Sequence, residues 1–244
     1  MLANIELYFV HGWGYDASVW DKWLPQLRPD VTPYIFNRGY FKANKQNFTF
    51  NISARFKVVI AHSLGLHYIR PIDFSQIHML VLISSFRQFH EHSQNYKYSQ
   101  KQVALMKQRL IIDPETLLAD FYSNCGQRSK ANETTLINRQ LLYDDLILLD
   151  TNEIDLDVLK PIPQILLLHG GYDGVVDIKH SKRLNEQLPN SQLFRHRRAG
   201  HALPSINSQW CINTIQKQLS KKLFIDLNPI ACSKNEDKDV IRSA

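Results

Sequence analysis

Three side chains far apart in the chain could together perform nucleophilic acyl transfer. Ser63 stands in Ala61-His62-Ser63-Leu64-Gly65, Asp173 in His169-Gly170-Gly171-Tyr172-Asp173-Gly174, and His201 in Arg198-Ala199-Gly200-His201-Ala202. A serine hydroxyl is a weak nucleophile until a base takes its proton. A histidine can be that base, with a carboxylate to orient the imidazole and stabilise its cation. The negative charge that develops on the substrate oxygen then needs N–H donors. The backbone N–H of Leu64, just after the serine, is one. Trp13, in His11-Gly12-Trp13-Gly14, offers the second, because two flanking glycines let that backbone approach closely. Its indole would wall the pocket.

Such chemistry sets demands on the elements around it. The serine must sit on a sharp, strained turn between a strand and a helix, with small side chains two residues away on either side. The run Phe56-Lys57-Val58-Val59-Ile60-Ala61 is an apolar strand leading into that turn, and Gly65 and Ala61 are the small residues. Other strand-like runs cover 5–10, 31–36, 78–84, 164–169 and 192–196, and helical stretches cover 17–28, 64–70, 178–188 and 207–223. Near-continuous apolar strands suggest a sheet buried on both faces. Their alternation with helices predicts an α/β domain with a mostly parallel sheet. Ser63, Asp173 and His201 each follow a strand.

Position disfavours the competing residues. Asp177 is set back from the strand end and better suited to begin the helix from Ile178. His62 flanks the serine, but its side chain leaves the turn in the wrong direction. His169 is placed to pack or bond locally, and His180 and His196 read as surface positions.

Between 86 and 158 the strand-like runs vanish. Residues 100–110, 114–122 and 132–149 read as amphipathic helices, with starts at Asp113-Pro114 and Asn132-Glu133. An all-helical insertion in an α/β alternation predicts a lid over the active edge of the sheet. The expected organisation is therefore a core of 1–85 and 159–225, a lid of 86–158, and a polar, frayed tail of 226–244.

Composition limits the alternatives. The chain has 244 residues, 44% of them hydrophobic and 21% charged, with a formal net charge of +6. That suits one folded domain and excludes a wholly disordered chain. Lys and Arg are interspersed with Asp and Glu, so no concentrated basic stripe points to nucleic acid. No apolar run approaches the roughly 20 residues needed to span a bilayer, and the start does not read as a signal peptide. The three cysteines form no CxxC pair or disulfide framework, which predicts a reducing cytoplasm. No HExxH, GxxxxGK[ST] or GxGxxG pattern occurs, so neither a metal nor a nucleotide cofactor is implied. A monomer is expected.

HGWG, HSLG, GGYDGVV and AGHA, in that order, resemble the α/β-hydrolase superfamily over most of residues 4–220. The finer likeness is to the pimeloyl-acyl-carrier-protein methyl ester esterases of biotin synthesis. It is carried by LYFVHGWGYDASVWDKWLPQL, by Ser84-Ser85 after LVLI, by YDGVV and AGHA, and by QRLIIDPETLLADF in the insertion. The resemblance implies a lidded α/β-hydrolase fold, with a triad of Ser63, Asp173 and His201 and an oxyanion side at Trp13 and Leu64. It implies acyl-chain contacts near Phe121 to Cys125. It also implies docking of an acidic acyl-carrier protein on basic residues of the lid. Lys97, Lys101, Lys107 and Arg109 occur there without an intervening acid, and Arg128, Lys130 and Arg139 follow around Glu133. Docking is expected on Lys101, Arg109, Arg128, Lys130 and Arg139. Ala61 in place of glycine and a divergent lid are departures that bear on substrate. The expected activity is hydrolysis of a pimeloyl-carrier methyl ester. The alternatives are a general short-chain esterase or thioesterase, an exopeptidase-like hydrolase and a non-catalytic binding protein of this fold.

Overall fold

The computed structural model describes residues 5–41, 50, 56–90, 96–127, 136–219 and 239–241. Among the described residues, six strands form one parallel sheet: β1 (Ile5–Val10), β2 (Val31–Phe36), β3 (Phe56–His62), β4 (Met79–Ile83), β5 (Gln164–Gly170) and β6 (Ser191–His196). Their spatial order is β2-β1-β3-β4-β5-β6. A seventh strand, β7 (Asp239–Ile241), pairs antiparallel with β6.

The strands lie within a residue or two of the apolar runs in the sequence. Burial on both faces explains why those runs are continuous. Leu7 and Phe9 of β1 join Val58, Ile60, Val81, Leu166, Trp20 and Trp23 on one face. Tyr8 and Val10 join Val59, Ala61, Leu80, Leu82, Leu184 and Leu188 on the other. Alternate residues of each strand thus feed two separate cores, as a period of two requires.

The helices are α1 (Tyr96–Ile112), α2 (Pro114–Asn124), α3 (Arg139–Thr151), α4 (Lys179–Gln187), α5 (Leu203–Ile206) and α6 (Ser208–Gln218). Several differ from expectation. The stretch 17–28 is two short 3-10 turns, Ala17–Trp20 and Leu24–Gln26, because Pro25 lacks the N–H that a continuous helix needs. The helix after Ser63 is a 3-10 segment, Ser63–Tyr68. Pro71 cuts it short by holding Arg70 extended, at ψ 144°. The helix expected over 132–149 begins only at Arg139. Asn138 caps it by accepting from Leu141 N–H at 3.1 Å, and the proposed start at Asn132-Glu133 lies outside the described residues. Asp113 does cap α2, accepting from Thr116 N–H at 3.0 Å. Within the tail expected to fray, β7 pairs with the edge of β6, whose backbone groups would otherwise stand unpaired; the rest of the tail lies outside the described residues.

Between β4 and β5 lie α1, α2 and α3. They share a third apolar cluster with the loop after β1: Val103, Leu110, Leu117, Leu118, Leu142 and Leu146 pack with Trp13 and Leu64. Among the described residues, no helix is long and apolar enough to cross a membrane.

Central burial is the main source of stability in such a sheet. Ile60 is fully buried in β3, whereas Ile72 is 73% exposed. Ile60→Ala is expected to lower the unfolding free energy by about 2–5 kcal/mol, and Ile72→Ala by less than about 0.5 kcal/mol. Urea unfolding of both variants checks this, and equal effects would contradict the assignment of the core.

Candidate active site

The sheet order places a crevice where the chain crosses from one side of β1 to the other. Parallel α/β sheets bind ligands at the carboxyl ends of their strands near such a switch point. Every residue singled out above for acyl transfer follows the carboxyl end of β1, β3, β5 or β6.

Ser63 leaves β3 with φ +53°, in the left-handed region that non-glycine residues rarely occupy. The turn is crowded. A Cβ added at Gly12 would come within 2.8 Å of Ser63 Cβ, and one at Gly65 within 2.6 Å of the Val10 carbonyl oxygen. Both positions therefore require glycine for close approach. Ala61 is fully buried and its methyl group joins the second core, so alanine is accommodated there. Ser85, one of the paired serines after β4, donates to the Ser63 carbonyl at 2.8 Å and helps fix the turn. That role was not apparent from the sequence.

Asp173 and His201 meet in the interior. Their side chains are 1% and 0% exposed, and Asp173 Oδ2 accepts from His201 Nδ1–H at 2.9 Å. Asp173 Oδ1 accepts from the N–H groups of Val175 and Val176, both at 2.9 Å. Burial pushes the carboxyl up, but His201, its hydrogen bond, His169 and the Val176 N–H outweigh burial and hold it below the usual range. Since the folded value lies below the unfolded one of about 3.9, these contacts stabilise the fold above that pH. Their contribution is lost as pH falls through the folded value. With its Nδ1 proton committed to Asp173, His201 presents a lone pair at Nε2. That atom is buried and, among the described residues, has no hydrogen-bond partner. Ser63 Oγ makes no hydrogen bond to it in this structure.

Asp177 is exposed and accepts from Lys179 N–H at 2.9 Å at the start of α4, whereas the imidazole bonds Asp173. His62 does turn aside from Ser63, but it is not idle. Its Nε2 donates to the His201 carbonyl at 3.0 Å, and burial holds its pKa well below the usual value. His169 bonds locally to Ser181 Oγ at 2.7 Å and to the Val176 carbonyl at 2.9 Å. His180 is not a surface residue: it is 8% exposed and faces a cavity beside Phe89. His196 is half-buried against Trp210.

That cavity has a volume of about 710 Å³ and is lined by Ser63, Leu64, Trp13, Asp173, Phe121, Tyr98, Val103, Met106 and Leu149, among others. Leu64 is the second residue of a 3-10 segment, so its N–H has no partner within that segment. Trp13 is buried, donates its indole N–H to the Leu142 carbonyl at 2.9 Å, and meets the ring of Phe121 edge-on at 5.0 Å. Phe121 is thus on the cavity wall. Cys125 is not. It caps the end of α2, and its side chain is buried in the first core cluster with Tyr15, Ala199 and Ala202. Its carbonyl accepts from Ala202 N–H at 3.1 Å, which ties α2 to the His201 loop.

Three of the basic residues expected to dock a partner can be placed. Lys101 is exposed, Arg109 pairs with Asp120 at 2.5 Å, and Arg139 lies 3.9 Å from Glu115. Arg128 and Lys130 lie outside the described residues. Among the described residues, no cluster of His, Cys, Asp or Glu is arranged to hold a metal ion.

The chain has the α/β-hydrolase fold. It resembles solved structures of an esterase from Exiguobacterium antarcticum (TM-score 0.69, 15% identity, 88% of this chain and 91% of that one) and a bromoperoxidase from Bacillus anthracis (0.67, 15%, 87% and 90%). An epoxide hydrolase from Bacillus megaterium is also similar (0.65, 12%, 89% and 94%). In sequence, the chain is 21% identical over 230 residues to the pimeloyl-(acyl-carrier protein) methyl ester esterase of Vibrio atlanticus (strain LGP32), covering 81% of this chain and 87% of that protein. No protein-family model matches it.

The site also predicts how the thiols behave. Cys125 and Cys211 are both fully buried, burial pushes the Cys125 thiol up to about 12, and the Cys211 thiol is raised as well. Thiolates are the reactive form. Iodoacetamide at about pH 8 should leave both unmodified in the native protein and alkylate both in denaturant. Peptide mass mapping reads this, and native alkylation of either would contradict the packing.

Proposed function

We propose that this chain is a serine carboxylic ester hydrolase. Ser63 Oγ attacks the ester carbonyl carbon while His201 Nε2 takes its proton, and the N–H groups of Leu64 and Trp13 hold the resulting oxyanion. The tetrahedral intermediate collapses, and the alcohol leaves with the proton from His201. Water then attacks the acyl-enzyme as His201 takes its proton. Collapse releases the carboxylic acid and returns a proton to Ser63. Asp173, ionised throughout, keeps His201 in the tautomer that leaves Nε2 free and stabilises its cation. The observation that carries this reading is the buried Asp173–His201 pair, 2.9 Å long, with an unpartnered Nε2 at the edge where the left-handed Ser63 stands.

The substrate we propose is the methyl ester of a pimeloyl group carried on acyl-carrier protein, giving methanol and the free carboxylate. The sequence likeness to the Vibrio atlanticus enzyme supports it. So does a cavity of about 710 Å³, roomy enough for a medium acyl chain. Helices α1–α3 would act as a lid that admits the chain methyl end first, so that the carrier thioester stays out of reach of Ser63. Lys101, Arg109, Arg128, Lys130 and Arg139 would meet the acidic carrier. The partners Asp120 and Glu115 are exposed, and such pairs exchange at small cost. A general short-chain esterase or thioesterase is the second reading. It is favoured by one observation: Arg109 and Arg139 already have acidic neighbours on the protein itself.

Complementation tests both. A strain lacking its own pimeloyl-carrier methyl esterase should grow without biotin when given this gene. The Ser63→Ala and Asp173→Asn forms should fail, since loss of the orienting carboxylate costs about 10⁴ in rate. Growth failure with soluble protein that still cleaves p-nitrophenyl esters would favour the general esterase.

A further inference from the structure

Outside the residues already assigned, a second polar cluster is buried where α3 meets the core. Asp145 of α3 has a side chain only 2% exposed. It accepts from Arg38 Nε and a terminal guanidinium nitrogen, both at 2.7 Å, and from Tyr40 Oη at 2.5 Å. Tyr68 Oη approaches the same carboxylate at 3.4 Å and Tyr40 Oη at 2.5 Å. The cluster joins three segments: α3, the loop after β2, and the end of the 3-10 segment that begins at Ser63. A buried ion pair is seldom needed for stability, since apolar residues of similar volume often serve as well or better. Its placement here has a more specific consequence.

The backbone N–H of Arg38 donates to His11 Nε2 at 3.0 Å. That bond leaves the ring proton of His11 on Nδ1, which donates to the Gly12 carbonyl at 2.9 Å. Burial lowers the His11 pKa to about 4, so the ring is neutral and can accept on one side while donating on the other. The Gly12 carbonyl and the Trp13 N–H belong to one planar trans peptide, in which they point in opposite directions. Holding the oxygen therefore aims the N–H. Helix α3 grips the same loop a second time through the Leu142 carbonyl, which accepts from the Trp13 indole at 2.9 Å. Leu142 and Asp145 are three residues apart and share one buried face of α3.

We propose that Asp145 and Arg38 are positioning residues: from the inserted helix, through the ring of His11, they set the peptide plane that directs the Trp13 N–H at the substrate oxygen. This rests on the reading of Trp13 as an oxyanion donor in an ester hydrolase. It makes the seating of α3 a condition for a complete oxyanion site, so that the helix over the substrate and the donor that stabilises the transition state move together.

The test uses the full chain with p-nitrophenyl acetate as the probe ester, each rate normalised to the folded fraction by circular dichroism. Asp145→Asn should lower kcat about 10- to 100-fold, with KM within about twofold of the wild type, since the donor acts on the transition state more than on bound substrate. Arg38→Lys keeps the charge but loses the two-pronged contact, and should lower kcat about fivefold. It replaces Asp145→Asn if that variant is recovered unfolded. The second readout is the nitrogen spectrum of labelled His11. The wild type should show one tautomer with its proton on Nδ1, and the variants an average of two. A kcat per folded molecule within about twofold of wild type, or an unchanged His11 tautomer, would overturn the proposal. If the wild type itself hydrolyses no ester, the hydrolase reading fails, and the His11 signal alone decides the relay.

Discussion

The structure depends on a close approach. The turn after β3 brings Ser63 against the loop after β1, so near that a single added carbon at Gly12 or Gly65 would collide with Ser63 Cβ or with the Val10 carbonyl. Ser63 meets this constraint by adopting a left-handed backbone, at a cost of about 1–3 kcal/mol that the surrounding sheet must offset. The offset is visible. Strands β1, β3 and β4 are buried on both faces, and Ser85 ties down the Ser63 carbonyl. The reward is geometric: the serine stands clear of the sheet, with the N–H of Leu64 and the loop of Trp13 beside it.

Around that turn, burial sorts the titratable groups. Desolvation keeps His11 and His62 neutral; His11 bonds to backbone on both sides of its ring and His62 on one. Asp173 is as deeply buried, yet it is held ionised by His201 and by two backbone N–H groups. Asp173 is thus a fixed negative charge beside neutral imidazoles, and His201 is the ring hydrogen-bonded to it. The inserted helices close the other side. Trp13 and Leu64 share an apolar cluster with α1–α3, so the placement of those helices and the shape of the cavity are one packing problem.

The strands were legible because burial on both faces leaves continuous apolar runs, and each strand ends in a turn of recognisable chemistry. Ser63, Asp173 and His201 could be picked out for the same reason, since each follows such a run. Helix lengths were less legible. The stretch 17–28 and the segment after Ser63 have helical periodicity, but Pro25 and Pro71 override it locally. Cys125 was misplaced because its position depends on how the end of α2 turns toward the His201 loop. Arg38 and Asp145 carried no signal: they lie 107 residues apart, and only the folded chain brings them together. His180, read as exposed, faces the cavity because the β4–α1 connection places Phe86 and Phe89 beside it.

The central claim is that Ser63 is the nucleophile, activated by a histidine that Asp173 holds. Incubation of the native protein with an organophosphorus fluoride, followed by intact-mass measurement and peptide mapping, tests it most directly. The account predicts one stoichiometric adduct on the peptide containing Ser63, absent after Ser63→Ala and strongly slowed in His201→Ala. An unmodified native protein, or an adduct on another serine that persists in Ser63→Ala, would contradict it.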